Sequence, residues 1–166
     1  MKQLTLVRHA KSSWKDLNMA DFDRPLNKRG EQAAPQMGRF LAEEARLKPD
    51  WIVSSPAVRA ITTARIVGDK LGYAIGGIVE KPSIYEASTE ALLYTVREIE
   101  SGYQNVILFG HMPGVLEFAH LLIGGQEIDH YPTCGVAQIE LDIEQWGDAG
   151  PGCGTLRAFL SPKTIG

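Results

Sequence analysis

The chain has 166 residues, of which 44% are hydrophobic and 22% are charged, and its formal net charge at pH 7 is -3. These proportions are ordinary for a globular protein and favour a single domain over residues 1–166. The negative net charge provides no bulk attraction to nucleic acid or to an anionic membrane, so neither is expected as a partner. No apolar run approaches the ~20 residues that span a bilayer, and the first residues lack a signal-peptide pattern, so we expect a cytoplasmic protein.

The hydrophobic pattern predicts strands that alternate with helices. In chain order it predicts a strand at 4–7, a polar loop to about Pro25, a helix capped by Asn27 that runs to about Leu47, a strand at 51–53, a helix that begins at Ser55-Pro56 and runs to Leu71, an extended segment at 78–84, a helix at about 89–100, a strand at 106–109, a helix at about 113–123, a strand at 136–142, a turn at 147–154 and a strand at 156–160. Pro35 is expected to kink the first helix or delay its start.

Alternating strands and helices predict an α/β fold, in which helices cover both faces of a mostly parallel sheet. We expect a three-layer sandwich with about five to six strands. The last two predicted strands are close in sequence, so one of them is expected to run antiparallel.

Chemically active side chains follow four of the extended segments. Arg8 and His9 come directly after the first strand, and Arg59 lies in the first turn of the helix after the second strand. Glu86 follows the third extended segment, and His111 follows the next strand. Ligands of open α/β sheets bind beyond the carboxyl ends of the strands, so we expect these five side chains to converge in one pocket.

Two arginines, two histidines and a carboxyl group suit a phosphate site. Guanidinium groups pair bidentately with phosphate oxygens, and the helix N-terminus after His111 adds N–H donors. The imidazoles and the carboxyl group offer a nucleophile, an oxyanion donor and a proton source. The sequence has no P-loop motif and no tight His/Cys/Asp cluster, and Cys134 and Cys153 lack a metal-binding spacing. We therefore expect arginine and imidazole to stabilise a transferring phosphoryl group, with no metal or other cofactor.

Five motifs occur in order along the chain: LVRHAKSSW, DFDRPLNKRG, SSPAVRAITTA, IYEAS and GHMPG. Together they resemble the histidine phosphatase superfamily, which has the fold of the phosphoglycerate mutases. Within that superfamily the chain looks like the small SixA-like phosphohistidine phosphatases. The resemblance extends from residue 4 to about residue 140, and it implies the phosphoglycerate mutase-like fold.

The resemblance also implies a role for each residue at the strand ends. His9 would be the nucleophile that takes the phosphoryl group, while Arg8 and Arg59 would hold its oxygens. His111 would donate a hydrogen bond to the phosphoryl group. Glu86 falls where many members carry the acid that protonates the leaving group, although SixA-like members do not always keep that acid.

Some of these residues also have a purely structural explanation. Arg59 could form a surface ion pair, and His111 could satisfy a helix N-terminus. Glu86 could be an acid that benefits from the dipole of the following helix. Ala10 stands where R-H-G is more usual, and we expect its methyl group to narrow backbone freedom without blocking the chemistry.

Further residues are candidates for substrate contact. Arg24 either reaches the phosphate pocket or a phosphoprotein substrate, or it pairs with Asp21 or Asp23. Ser12 is assigned to substrate binding, and the surrounding segment 11–14 borders the pocket.

These features predict a metal-independent phosphatase that works through a phosphohistidine intermediate and binds a phosphate anion in its site. The resemblance favours phosphohistidine on a protein as the substrate. The larger relatives have long insertions over the site, whereas the stretch from Ile84 to Val106 is short here and implies an open groove. The alternatives are a phosphomonoesterase or mutase-like enzyme that acts on a small phosphate ester, and a phosphate-recognition module without turnover. The sequence predicts no oligomeric state.

Overall fold

The computed structural model describes all residues 1–166 and contains one six-stranded sheet. Its strands are β1 (Lys2–Arg8), β2 (Trp51–Ser54), β3 (Val79–Glu80), β4 (Asn105–Gly110), β5 (Val136–Leu141) and β6 (Gly154–Leu160). Its helices are α1 (Lys28–Glu43), α2 (Val58–Lys70), α3 (Thr89–Arg97), α4 (Gly114–Ile123) and the short α5 (Pro162–Ile165). None of these helices has the length and apolar composition that a membrane span requires.

The strands lie in the order β3-β2-β4-β1-β5-β6. Neighbours from β3 to β1 pair in parallel, whereas β5 pairs antiparallel with both β1 and β6. Strand β5 alone therefore runs against the others. The predicted α/β fold, a mostly parallel sheet with one antiparallel strand, is confirmed.

The sheet separates two hydrophobic clusters. One contains 21 buried residues and includes side chains of α3 and α4, and the other contains 15 and includes side chains of α1 and α2. Strand β1 contributes to both, because Leu6 belongs to the first cluster and Val7 to the second, and both are fully buried. A strand buried on both faces reads as a continuous apolar run, as this one does. The residues at its carboxyl end are therefore held on a rigid support.

Helix α1 begins where the sequence predicts but ends four residues early, at Glu43 and not at Leu47. The Asn27 side chain accepts a hydrogen bond from the Gly30 backbone N–H at 2.9 Å, which confirms the predicted cap. Pro35 does not delay the start, since the helix begins at Lys28 and continues through the proline. The helix ends because Arg46 has a left-handed φ of 52° and the Leu47 N–H donates to the Leu41 carbonyl, which turns the chain back toward the core.

Two further predictions need correction. Ser55 does not cap α2, which begins at Val58 with Ala57 as its N-cap residue; the Ser55 hydroxyl instead accepts from the Ala57 N–H. In the predicted extended segment 78–84 only β3 is a strand, and residues 82–84 form a 3₁₀ turn. The proline that begins this turn has no N–H for a strand ladder, which explains why β3 stops there.

Gly30 in the first turn of α1 packs directly against the backbone of Lys11, so a Cβ at this position would overlap the Lys11 carbonyl oxygen. That carbonyl also accepts the Asn27 N–H at 2.9 Å, and a backbone contact cannot be relieved by a rotamer change. We expect Gly30→Ala to lower the free energy of unfolding by about 1–3 kcal/mol, measured by urea denaturation. Gly102→Ala, where a Cβ would meet nothing, is the matched control, and equal losses in the two variants would contradict the prediction.

Candidate active site

A cavity of about 340 Å³ lies beyond the carboxyl ends of β1, β2 and β4. Its wall consists of Arg8, His9, Lys11, Ser12, Trp14, Arg24, Arg59, His111, Met112 and Thr133. Four of the five residues predicted at strand ends therefore come together, and the two predicted substrate contacts, Arg24 and Ser12, join them. Glu86 is not part of this wall.

The backbone holds the ring of His9 in one tautomer. Its Nδ1 lies 2.7 Å from the carbonyl oxygen of Ala10, and its side chain is buried. A carbonyl oxygen only accepts, so Nδ1 must carry the hydrogen and the neutral ring keeps its lone pair on Nε2. The Ala10 N–H donates to the Thr63 hydroxyl of α2 at 3.0 Å, which fixes the carbonyl that orients the imidazole. Thr63 is a positioning residue that the sequence did not identify.

The surroundings also keep His9 uncharged. Burial, joined by the positive charges of Arg59, Arg8 and Arg24, lowers the pKa of the imidazole to about 4, against the opposing effect of the hydrogen bond to Ala10. The arginines favour the neutral ring, but burial has the larger effect.

His111 faces His9 across the cavity, with 5.2 Å between the ring centroids. Its Nε2 is hydrogen-bonded to the Ser55 hydroxyl at 2.8 Å, whereas its Nδ1 is buried without a partner. Burial lowers the pKa of His111 to about 3, with smaller contributions from His9 and the arginines. Ser55, which the sequence predicts as a helix cap, therefore orients the imidazole of His111.

The arginines are held by hydrogen bonds that leave part of each guanidinium free. Arg8 donates through Nη1 to the Tyr131 carbonyl at 2.8 Å, and Arg59 donates through Nη1 to the Asp21 carbonyl at 2.7 Å. The Nε atoms of Arg8 and Arg59 are buried and have no partner in the protein. Together with Nδ1 of His111 they account for three of the four buried side-chain atoms that lack one. Unpaired buried polar groups are costly, and all three belong to side chains of the cavity wall, which can donate hydrogen bonds to an oxyanion in the cavity.

Asp21 connects the cationic side chains. Its carboxylate accepts from Arg24 at 3.1 Å, from Arg59 at 3.0 Å and from the Tyr85 hydroxyl at 2.7 Å. The Tyr85 hydroxyl, followed by Arg59 and Arg24, lowers the pKa of Asp21 to about 2 against the opposing effect of burial. The sequence considered Asp21 only as a possible partner of Arg24, since its bonds to Arg59 and Tyr85 join residues 38 and 64 positions away.

Arg24 fulfils both of the alternatives that the sequence left open. It pairs with Asp21, and it also lines the cavity, where its Nη1 donates to the Ser12 hydroxyl at 2.6 Å. Its guanidinium carbon lies 3.6 Å from the ring centre of Trp14, in a cation–π contact. The predicted substrate-contact segment is therefore built around this arginine.

Glu86 lies outside the cavity wall, next to Tyr85. It is exposed and has a left-handed φ of 53°. Its carboxylate is a minor cause of the raised pKa of Tyr85, about 12, for which the hydrogen bond to Asp21 is the largest cause. The assignment of Glu86 as proton donor stays a prediction.

The buried ring of His9 should titrate well below the ordinary histidine value. In phosphate-free buffer we expect the ring C–H resonance of His9 to shift with a midpoint near pH 4, measured by NMR. The unfolded chain binds the proton more readily, so the contribution of His9 to stability is complete above about pH 6.5 and is lost as the pH falls toward 4. Arg59→Met, which removes a positive charge, should raise the midpoint. A wild-type midpoint at or above 6.5 would refute the proposed electrostatics.

The chain is similar to known proteins in sequence and in structure. The family model of the histidine phosphatase superfamily (branch 1) matches residues 4–92. Over 98% of its length the chain is 31% identical to an uncharacterized chloroplast protein of Arabidopsis thaliana, of which the match covers 79%. It is also similar to the solved structure of a candidate phosphohistidine phosphatase SixA from Agrobacterium tumefaciens, with 29% identity, a TM-score of 0.80 and coverage of 97% and 98% of the two chains.

A structure of the protein histidine phosphatase SixA complexed with tungstate has the same fold, with 21% identity, a TM-score of 0.84 and coverage of 99% of each chain. Other structures of this fold bear the names of small-molecule phosphatases, such as a mycobacterial glucosyl-3-phosphoglycerate phosphatase at 12% identity. Because the family model covers more than half of the chain, the chain belongs to the histidine phosphatase superfamily, and over nearly its whole length it is similar to the SixA structures.

Proposed function

We propose that this phosphatase removes phosphoryl groups from phosphohistidine on other proteins, through a phosphohistidine formed on its own His9. One observation carries the proposal: a buried, neutral His9 lines the same cavity as Arg8, Arg59 and His111, and each of these three side chains has a buried nitrogen without a protein partner. The Nδ1 bond to Ala10 leaves the Nε2 lone pair available, and no hydrogen bond to the protein occupies it. A nucleophile placed beside unpaired donors fits transfer of a phosphoryl dianion.

The reaction would proceed in two displacements. In the first, the Nε2 lone pair of His9 attacks phosphorus in line, and the bond from phosphorus to the substrate imidazole breaks as the other ring nitrogen of that imidazole takes a proton from water. In the second, water attacks phosphorus and the bond to Nε2 breaks. Inorganic phosphate leaves with one proton of that water, and the other proton neutralises the hydroxide left by the first step. Arg8, Arg59 and His111 would stabilise the equatorial oxygens in both steps, and no metal is assigned a role.

The absence of a carboxylic acid from the cavity wall supports phosphohistidine as the substrate. None of the ten wall residues is Asp or Glu. Asp21 is near the arginines, but its pKa of about 2 makes it an ionised partner and a poor proton donor at neutral pH. A departing imidazole needs less protonation by the enzyme than an alkoxide does. The wall is therefore better suited to phosphohistidine than to an alkyl phosphate.

An exposed apolar segment beside the cavity supports a macromolecular substrate. Trp14, Leu17, Met19 and Phe22 are four of the seven exposed large hydrophobic residues in the chain, and Trp14 and Leu17 are 68% and 84% exposed. Clustered exposed apolar side chains often mark an interaction surface. Between β3 and β4 the chain forms only a 3₁₀ turn and the nine-residue α3, so this short connection leaves the segment uncovered.

The phosphoenzyme should be detectable directly. After incubation with labelled phosphohistidine protein and a rapid quench, we expect an acid-labile, base-stable label that maps to His9. His9→Ala should lose the label and the turnover, whereas His120→Ala, on α4 and outside the cavity, should keep both. Turnover should also persist in EDTA. Equal turnover by wild type and His9→Ala would reject the nucleophile, and loss in EDTA with recovery on adding a divalent metal would reject the metal-free mechanism.

Removing the charge of Asp21 should lower the activity, because Asp21 holds two arginines of the cavity wall. We expect Asp21→Asn to lower kcat/KM about 10- to 100-fold, since it releases two arginines from their fixed positions. That loss should be equal for p-nitrophenyl phosphate and for an alkyl phosphate, because the effect of a positioning residue does not depend on the basicity of the leaving group.

Glu86→Gln should leave phosphohistidine turnover within about twofold of wild type, as expected for an exposed surface substitution. A large loss confined to alkyl phosphates in Glu86→Gln would favour the small-ester or mutase-like alternative.

A further inference from the structure

A second cavity, of about 460 Å³, adjoins the catalytic one. It lies between α1, α5 and the loop before β5, and we call it the basic groove. Lys11 and Thr133 line both cavities, so the two adjoin at these side chains. A group bound in the basic groove would therefore be close to a phosphoryl group held against His9.

The groove concentrates positive charge on a chain that is negative overall. Arg29 of α1, Lys163 of α5 and Lys11 line it together with the imidazole of His130, and no Asp or Glu is among its eleven wall residues. The whole chain has 20 acidic and 17 basic residues, so a wall that contains basic but no acidic residues differs from the composition of the chain. The three cationic side chains are exposed, and none of them has an ion-pair partner in the protein.

The groove is built on anchored backbone. Tyr131, next to His130, is fully buried and its hydroxyl donates to the Leu6 carbonyl of β1. The Tyr131 carbonyl in turn accepts from Arg8 of the catalytic cavity. On the opposite side, a capping box between Ser161 and Thr164 fixes the turn that carries Lys163. Groove and phosphate site thus share a support and keep a fixed separation.

We propose that the basic groove binds acidic side chains of the phosphoprotein substrate, within a few residues of its phosphohistidine. The chemistry of the wall favours a polypeptide over a small molecule. Small-molecule pockets are lined mostly by hydrophobic and aromatic side chains, whereas only Ala33, Pro132 and Pro162 of these eleven residues are apolar, and Gln32 and Gln36 add amides. Long, flexible cationic side chains and amides can bind carboxylates at several positions along a peptide. Their positive charge also speeds association with an acidic surface.

This inference rests on the proposed function, and its test separates the two. Three phosphohistidine peptides are compared that have the same length: one with aspartates before the phosphohistidine, one with aspartates after it, and one with asparagines at all those positions. The enzyme variants are the double reversal Arg29→Glu/Lys163→Glu and the matched control Lys48→Glu/Lys70→Glu, which causes the same change in net charge outside both cavities. Lys11 is left unchanged because it also lines the catalytic cavity.

With wild type we expect one of the acidic peptides to exceed the asparagine peptide about fivefold in kcat/KM through a lower KM, an advantage that shrinks as salt rises. The groove variant should lose this advantage and the control variant should keep it, while hydrolysis of phosphoramidate, which cannot reach the groove, stays the same in all three. If wild type shows no preference for either acidic peptide, or the groove variant retains the preference, the inference is wrong.

A second experiment measures peptide binding and does not depend on turnover. The unphosphorylated aspartate peptides, followed by fluorescence anisotropy, should bind wild type more tightly than they bind the groove variant. If wild type hydrolyses no phosphohistidine peptide but this difference in binding is present, the proposed function fails and the groove assignment stands. If a small phosphate ester with a second carboxylate depends on Arg29 and Lys163 and the peptides do not, the groove serves a small molecule and the protein assignment is overturned.

Discussion

The hydrogen bond from His9 Nδ1 to the Ala10 carbonyl is the interaction on which the site depends. It decides which ring nitrogen carries the hydrogen and so leaves the Nε2 lone pair free for the proposed attack on phosphorus. The bond is possible because Ala10 is itself fixed, by its N–H to Thr63 of α2, while the His9 N–H donates to the Gly110 carbonyl at the end of β4. A strand, a neighbouring strand and a helix therefore orient one imidazole before any substrate arrives.

Several cations in one buried cavity repel each other, and Asp21 offsets part of this repulsion. A single carboxylate shared between Arg24 and Arg59 does not neutralise both, and Arg8 has only a carbonyl partner. The remaining positive potential has two effects. It adds to burial, the larger effect, in keeping His9 and His111 neutral, and it attracts a phosphoryl dianion, whose oxygens can accept from the arginines. The positive potential thus contributes both to the low pKa of His9 and to the attraction of phosphate.

The sequence predicts most of the fold and the centre of the site because both follow from local rules. Buried strands read as apolar runs, and ligands gather beyond their carboxyl ends, so Arg8, His9, Arg59 and His111 are found where the pattern places them. The errors occur where long-range contacts decide. Ser55 forms a hydrogen bond with His111 and does not cap α2. Helix α1 ends early because Arg46 adopts a left-handed conformation. Asp21 gives no local signal either, since two of its three partners are far away in the chain.

The loop between β1 and α1 joins catalysis to substrate selection. Residues 11–13 pair with 25–27 through backbone hydrogen bonds and a bridge between Ser12 and Leu26, which gives the loop a fixed base. From that base Lys11 points into the basic groove and the catalytic cavity, and Trp14 supports Arg24 and exposes its own ring to solvent. The proposed chemistry at His9 selects only for the leaving group, so discrimination among substrates with the same leaving group must come from surfaces around the cavity. The loop places one cationic and one apolar surface directly at its rim.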